Sequence, residues 1–253
     1  VTDRPPSGSA ASPGRCLELA GIPGSGKSRR VGTLAARLTH LGVAVTQPQA
    51  RFAPSVPTAR RLARKARACG AAAVAAPGTT ARVLRALAGS HQPGPGDLAG
   101  RVVQWLVAQE AAARAARFDG VSILDEGPVQ ALWSIGIRGD VDPVLAAVPH
   151  RHPADLLVVV RVPPELALER LTRRVSRHSR TQLLDRPAQL AELHRGARLL
   201  DRLAEWWARS GEVHLLDGAA DDGADLELLV ARVCASVRPC TPRAGPAPGP
   251  HRR

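Results

Sequence analysis

The chain of 253 residues contains no tyrosine and no methionine, two phenylalanines, four tryptophans and four cysteines. With aromatics at 2%, the core must be filled by Leu, Val and Ala, and no aromatic-rich strand is available to stack bases. No apolar run approaches the length needed to cross a bilayer. Residues 1–15 lack the apolar centre of a secretion signal, so a cytoplasmic protein is expected. Cys16, Cys69, Cys234 and Cys240 form no C-x-x-C pair and have no histidine at ligand spacing, which points to reduced thiols rather than a zinc site. His150 and His152 flank Arg151 in a stretch that reads as a solvated loop.

Lysine is scarce as well. Of the 35 basic residues all but Lys27 and Lys65 are arginine, and the formal net charge is +13. A basic surface attracts polyanions. No zinc-finger spacing or other recognition element accompanies the charge, and a phosphorylated small molecule accounts for the arginines as well as a nucleic acid does. The arginine bias, together with abundant Ala, Gly and Pro, also fits a GC-rich coding composition.

What is present is an alternation of short apolar runs with helical patterns, the signature of a parallel sheet covered by helices. Strands are expected at 16–20, 43–46, 121–124, 156–161 and 213–216. Val31, Leu34, Ala35, Leu38 and Leu41 fall on one face of a helix that Gly42 ends. Residues 57–118 read as helical, broken by a loop at 89–96, and a long helix carries Leu190, Leu193, Ala197, Leu200, Ala204 and Trp207 on its core face. Residues 1–14 read as a disordered lead, 15–238 as one α/β domain and the Pro-rich 239–253 as a disordered tail.

Gly21-Ile22-Pro23-Gly24-Ser25-Gly26-Lys27-Ser28 matches the Walker A pattern, between an apolar strand and an amphipathic helix. Glycines let backbone N–H groups curl around an anion, and the helix beginning near Lys27 points its positive end at phosphates. Lys27 is expected to bridge the β- and γ-phosphates of ATP, and Ser28 to supply an oxygen to Mg²⁺. The nucleotide-binding segment is read as Gly21 to Arg29. That lysine survives at position 27 in a chain that otherwise uses arginine fits a loop needing a compact point charge.

Asp125 and Glu126 follow the strand Val121-Ser122-Ile123-Leu124, at the strand edge where open α/β sheets bind ligands. Asp125 is the expected Mg²⁺ partner, and Glu126 could orient or deprotonate a nucleophile. Farther on, a buried strand turns at Pro163-Pro164 into a helix on which Leu168, Leu171 and Val175 share a face. Arg170, Arg173, Arg174 and Arg177 follow at i, i+3, i+4 and i+7 on the other face, and Arg180 continues the run. Like charges on one stripe repel unless an anion lies against them. The expectation is a helical lid over about 170–186, with Arg170 and Arg173 on the nucleotide and Arg174 and Arg177 offsetting charge on the phosphoryl group in transfer.

Taken together, the loop, the acidic pair and the segment "VRVPPELALERLTRR" resemble the nucleoside- and nucleotide-kinase branch of P-loop proteins, thymidylate kinases most of all, from Cys16 to about Val237. The resemblance implies a three-layer α/β/α fold with a five-stranded parallel sheet in the order 2-3-1-4-5, ATP and Mg²⁺ as cofactors, and a small-molecule acceptor. The sequence departs from thymidylate kinases at several points. Asp125-Glu126 replaces their Asp-Arg, Thr46-Gln47-Pro48 matches only part of their Thr-Arg-Glu-Pro, and no tyrosine can gate a deoxyribose. The stretch Asp125-Glu126-Gly127 followed by Gln130 and Trp133-Ser134 is also similar to P-loop ATP-binding proteins of uncharacterised substrate. Gln130 and Trp133 could line the acceptor site, or Trp133 could anchor its helix; Arg51 and Phe52 are further candidates. The activity expected is an ATP-dependent phosphotransferase. An accessory or regulatory ATPase and a nucleic-acid end kinase remain as alternatives.

Overall fold

Strand β1, Arg15–Gly21, is buried on both faces because helices cover both. Its alternation divides the core. Leu17 and Leu19 pack with Val31, Leu34 and Leu38 on one side, while Cys16 and Ala20 face a larger cluster on the other. The computed structural model from which these contacts come describes residues 14–53, 55–149, 154–174, 180–220 and 223–236. Most of the expected lead and the whole expected tail lie outside that set, as do His150, His152, Val175, Arg177 and Cys240. Among the described residues Cys16, Cys69 and Cys234 are free thiols, and no helix is long and apolar enough to cross a membrane.

The elements follow in order: β1, α1 (Lys27–His40), β2 (Val45–Thr46), a 3₁₀ turn at Pro48–Phe52, α2 (Thr58–Ala75), α3 (Pro77–Ala88), α4 (Pro95–Ala115), β3 (Val121–Leu124), α5 (Pro128–Gly136), α6 (Asp142–Ala147), β4 (Leu156–Arg161), α7 (Pro164–Thr172), a 3₁₀ turn at Arg180–Leu183, α8 (Arg186–Ala208), β5 (Glu212–Asp217) and α9 (Ala224–Ser236). The five strands are parallel in the order β2-β3-β1-β4-β5. Every strand therefore ends on the same edge, and β1, whose carboxyl end opens the glycine loop, lies between β3 and β4.

Proline sets many of the helix starts. Helices α3 to α8 each open with proline at the first or second position, where its missing N–H costs nothing and its fixed φ suits the first turn. The same residue explains a break that periodicity missed. Ala76 precedes Pro77 and is forced out of the helical region (φ −148°, ψ 67°), dividing the expected long helix into α2 and α3.

Strand β2 is shorter than expected for a related reason. The amide of Val43 donates to the Leu38 carbonyl at 3.0 Å and is used up in closing α1, beside Gly42 at φ 77°. Pairing with β3 begins only at Val45. The four tryptophans are all buried, and Trp105, Trp133, Trp206 and Trp207 fill the layer between α4, α5 and α8. Scarce aromatics are thus concentrated where long helices need bulk between them, with Ala108, Ala111, Ala112 and Ala115 of α4 letting backbones approach.

Candidate active site

Two glycines shape the turn between β1 and α1. Gly24 and Gly26 have φ of 86° and 83°, conformations that side-chain-bearing residues seldom adopt. A Cβ on Gly24 would also collide with the Ala167 carbonyl of α7. The turn is closed by the Ser25 amide donating to the Ile22 carbonyl at 3.1 Å. No side chain caps α1, so the N–H groups of its first turn lack intrahelical acceptors. Ser25 Oγ is buried without a partner. Orphan donors and a buried hydroxyl around a lysine are the environment a phosphate chain would satisfy.

Across the sheet edge, Lys27 Nζ donates to Asp125 Oδ1 at 2.6 Å and to the Asp125 backbone carbonyl. Ser28 Oγ lies 3.1 Å from Asp125 Oδ2. The expected loop residues Lys27 and Ser28 and the expected metal partner Asp125 therefore form one cluster, and its two oxygens from Ser28 and Asp125 fit a hard cation such as Mg²⁺. Glu126 is exposed and lines the same cleft as Gly21–Ser28. Arg29 is exposed at the start of α1.

The acidic pair is held in place by a residue that periodicity gave no reason to single out. Gln49, in the 3₁₀ turn after β2, accepts from the Asp125 amide at 3.0 Å and donates to the Glu126 carbonyl at 2.7 Å. Gln49→Ala should cost about 1–3 kcal/mol of stability for the two lost bonds, measurable by urea unfolding. If the clamp also fixes Asp125, the Mg²⁺ concentration for half-maximal nucleotide binding should rise in parallel.

Glu18 is the second unforeseen residue, although a carboxylate in mid-strand between Leu17 and Leu19 was a visible anomaly. It is fully buried. Its Oε1 accepts from the Gln130 amide at 2.9 Å, and its Oε2 has no partner. Burial raises its pKa to about 8 against the opposing pull of the α5 amides and Lys27. Gln130 completes the link, because its Oε1 accepts from the Gly21 amide at 3.1 Å. The head of α5 is thereby fastened to both β1 and the first glycine of the loop.

The basic residues divide differently from the expected stripe. Helix α7 ends at Thr172, and Gln182 takes the Leu171 carbonyl at 3.0 Å, satisfying one of the terminal acceptors. Arg173 caps the helix, its amide still donating to the Glu169 carbonyl at 3.2 Å, and Arg174 follows the helix end. Arg173 pairs with Glu169, and Arg170 Nη1 donates to the Gly218 carbonyl at 2.8 Å. Arg174 is exposed and lines the cleft. Arg30, hidden among so many arginines, is buried and donates to the carbonyls of Ser25 (3.3 Å), Asp217 (2.9 Å) and Ala220 (3.3 Å). It splints the glycine loop to the segment after β5.

The cleft has a volume of about 380 Å³ and continues from Gly21–Ser28 past Glu126 and Gln130 to a far wall that includes Arg101, Gln104, Ser134, Arg138 and Glu192. Trp133 lines the cleft, and its Nε1 donates to the Gly196 carbonyl at 2.8 Å as an anchor. Arg51 and Phe52 belong elsewhere. The Arg51 guanidinium pairs with Glu110 and stacks 4.6 Å from the Phe52 ring centroid, beside a different hollow.

No protein-family model matches the chain, and no curated protein matches it. Among solved structures it is similar to deoxyadenosine kinase from M. mycoides in two states. The structure with bound dATP has a TM-score of 0.48 and 11% identity, covering 86% of this chain and 98% of that one. The structure with the products dCMP and a flexible dCDP has a TM-score of 0.51 and 12% identity, covering 87% and 99%. The architecture is the P-loop nucleoside-kinase fold. At such identities the likeness concerns the fold and leaves the site to be argued from its own residues.

Proposed function

We propose that the protein is a Mg²⁺-dependent phosphotransferase that moves the terminal phosphoryl group of ATP to a small molecule seated in the far part of the cleft. The observation that carries this reading is the continuity of one cleft from the Lys27–Ser28–Asp125 cluster, past Glu126, to a polar wall that a nucleotide phosphate chain does not need. The glycine loop and Lys27 would hold the triphosphate, and Ser28 with Asp125 would hold the metal that neutralises its charge. An acceptor oxygen attacks the γ-phosphorus in line. The new O–P bond forms as the bond to the β–γ bridging oxygen breaks, its electron pair leaving with ADP. Glu126, which lines the cleft, would take the acceptor's proton. Arg174, at the cleft rim, would offset charge on the phosphoryl group in flight.

A second reading, an accessory ATPase, is favoured by the Asp125-Glu126 dipeptide alone, since the same carboxylate could orient water. Coupled assay of ADP release separates the two. With pooled nucleosides, nucleotides and sugars as acceptors, release is expected to exceed the acceptor-free rate at least ~10-fold, in line with positioning of a bound nucleophile. Release that no acceptor accelerates would leave the ATPase reading in its place.

A further inference from the structure

We infer that the acceptor carries a second, anionic group, phosphate or carboxylate, at its end remote from the reacting oxygen, and that Arg101 and Arg138 receive it. The inference rests on the phosphotransferase reading and specifies which class of acceptor that site takes.

Helix α5 serves as a ruler. Its residue Gln130 touches the amide of Gly21 at the phosphate end, while Ser134 and Arg138 lie four and eight positions along. At the helical rise these are roughly 6 and 12 Å farther on, the span of a small metabolite. Arg138 follows the last turn of α5, with Ile137 still in the helical region. A triphosphate held by Lys27 therefore leaves this end of the cleft to the acceptor.

The far wall is built around an uncompensated charge. Arg101 Nη1 donates to Gln104 Oε1 at 2.8 Å, and Gln104 Nε2 donates to Ser134 Oγ at 3.0 Å, which fixes the guanidinium against α5. Its Nε is buried without a partner. Among the described residues no carboxylate comes within ion-pair distance of it. Arg138 stands near enough that its positive charge, after burial itself, pushes the Arg101 guanidinium below its usual pKa. Arg138 has only a long contact, 3.4 Å, with Glu192 Oε2, and the other oxygen of Glu192 is occupied by Thr181 Oγ1 at 2.8 Å.

Two like charges are thus held together in a half-buried wall, with one carboxylate between them and its own neighbours. A neutral acceptor would leave the repulsion and the orphan donor as they are. A phosphate or carboxylate would satisfy both, and the planar fork of arginine suits either anion. Among the described residues the charge lining the cleft agrees: Lys27, Arg101, Arg138 and Arg174 stand against Glu126 and Glu192.

The test loads the glycine loop first. Protein saturated with Mg²⁺ and a non-hydrolysable ATP analogue is titrated with inorganic phosphate in one arm and acetate in the other, by calorimetry. Wild-type protein is expected to bind at least one of the two, and which one it binds identifies the anion. Arg101→Met should weaken that binding at least ~10-fold, and Arg101→Lys, which keeps the charge without the fork, should fall between. Affinity for the analogue should stay within about twofold in both variants, which separates loss of an anion from loss of fold. If loaded wild-type protein binds neither anion, or if Arg101→Met binds as wild type does, the remote anion is ruled out while the nucleotide reading stands. Failure to bind the analogue at all removes both.

Discussion

Lys27→Met is expected to lower ATP-dependent phosphoryl transfer by ~10²–10³-fold, the cost of removing one preorganised charge from the place where negative charge develops. Lys27→Arg should do nearly as badly. The loop is held tight by two left-handed glycines and by the close passage of Ala167 over Gly24, and a planar fork needs room that a compact ammonium does not. Lys27 spans the sheet edge to Asp125 at 2.6 Å. On the proposed function a triphosphate would draw the ammonium toward itself and leave the aspartate to the metal. Transfer of labelled γ-phosphate checks the prediction: Lys27→Met retaining more than about a tenth of wild-type activity would remove Lys27 from the chemistry, and Lys27→Arg retaining as much would overturn the argument from tight space.

Glu18 makes the second large prediction, and it concerns stability. Its carboxyl titrates at about 8 in the folded protein against 4.5 as the ordinary value. The folded state therefore keeps a proton that the unfolded state has lost, and stability falls as pH rises from about 4.5 to about 8. The penalty is complete above that window, where it amounts to about 5 kcal/mol. Glu18→Gln retains shape and the acceptor for the Gln130 amide but cannot ionise. Its stability should match wild type within about 1 kcal/mol at pH 4.5 and exceed it increasingly toward pH 8, because burying an unpaired carboxylate is what the substitution avoids. Chemical unfolding at intervals across that range measures the difference directly. Parallel curves for the two proteins would mean that the Glu18 proton leaves near its ordinary pKa.

These two residues differ in how far the sequence announced them. Lys27 stands in a recognisable Walker A spacing, and its flanking strand and helix came with it. Glu18 was conspicuous as a charge inside an apolar strand, yet nothing local showed that its partner would be Gln130, 112 positions away. The same division holds for Asp125, legible at the end of its strand, and Gln49, which reaches it only because β2 lies beside β3. The arginine stripe is legible only in part. Helix α7 ends at Thr172 with Arg173 as its C-cap and the Gln182 side chain on a terminal carbonyl, while Arg177 lies outside the described residues.

The sequence by itself determined the alternating strands and helices, the glycine loop and the carboxylate facing it, because each depends on residues within a few positions of one another. Only the tertiary structure decided what the far wall contains. Arg101, Ser134, Arg138 and Glu192 come from α4, α5, the segment just after it and α8, and they meet because the helices pack on one face of the sheet. Local spacing records the period of a helix or strand; it does not record which distant surface will press against it.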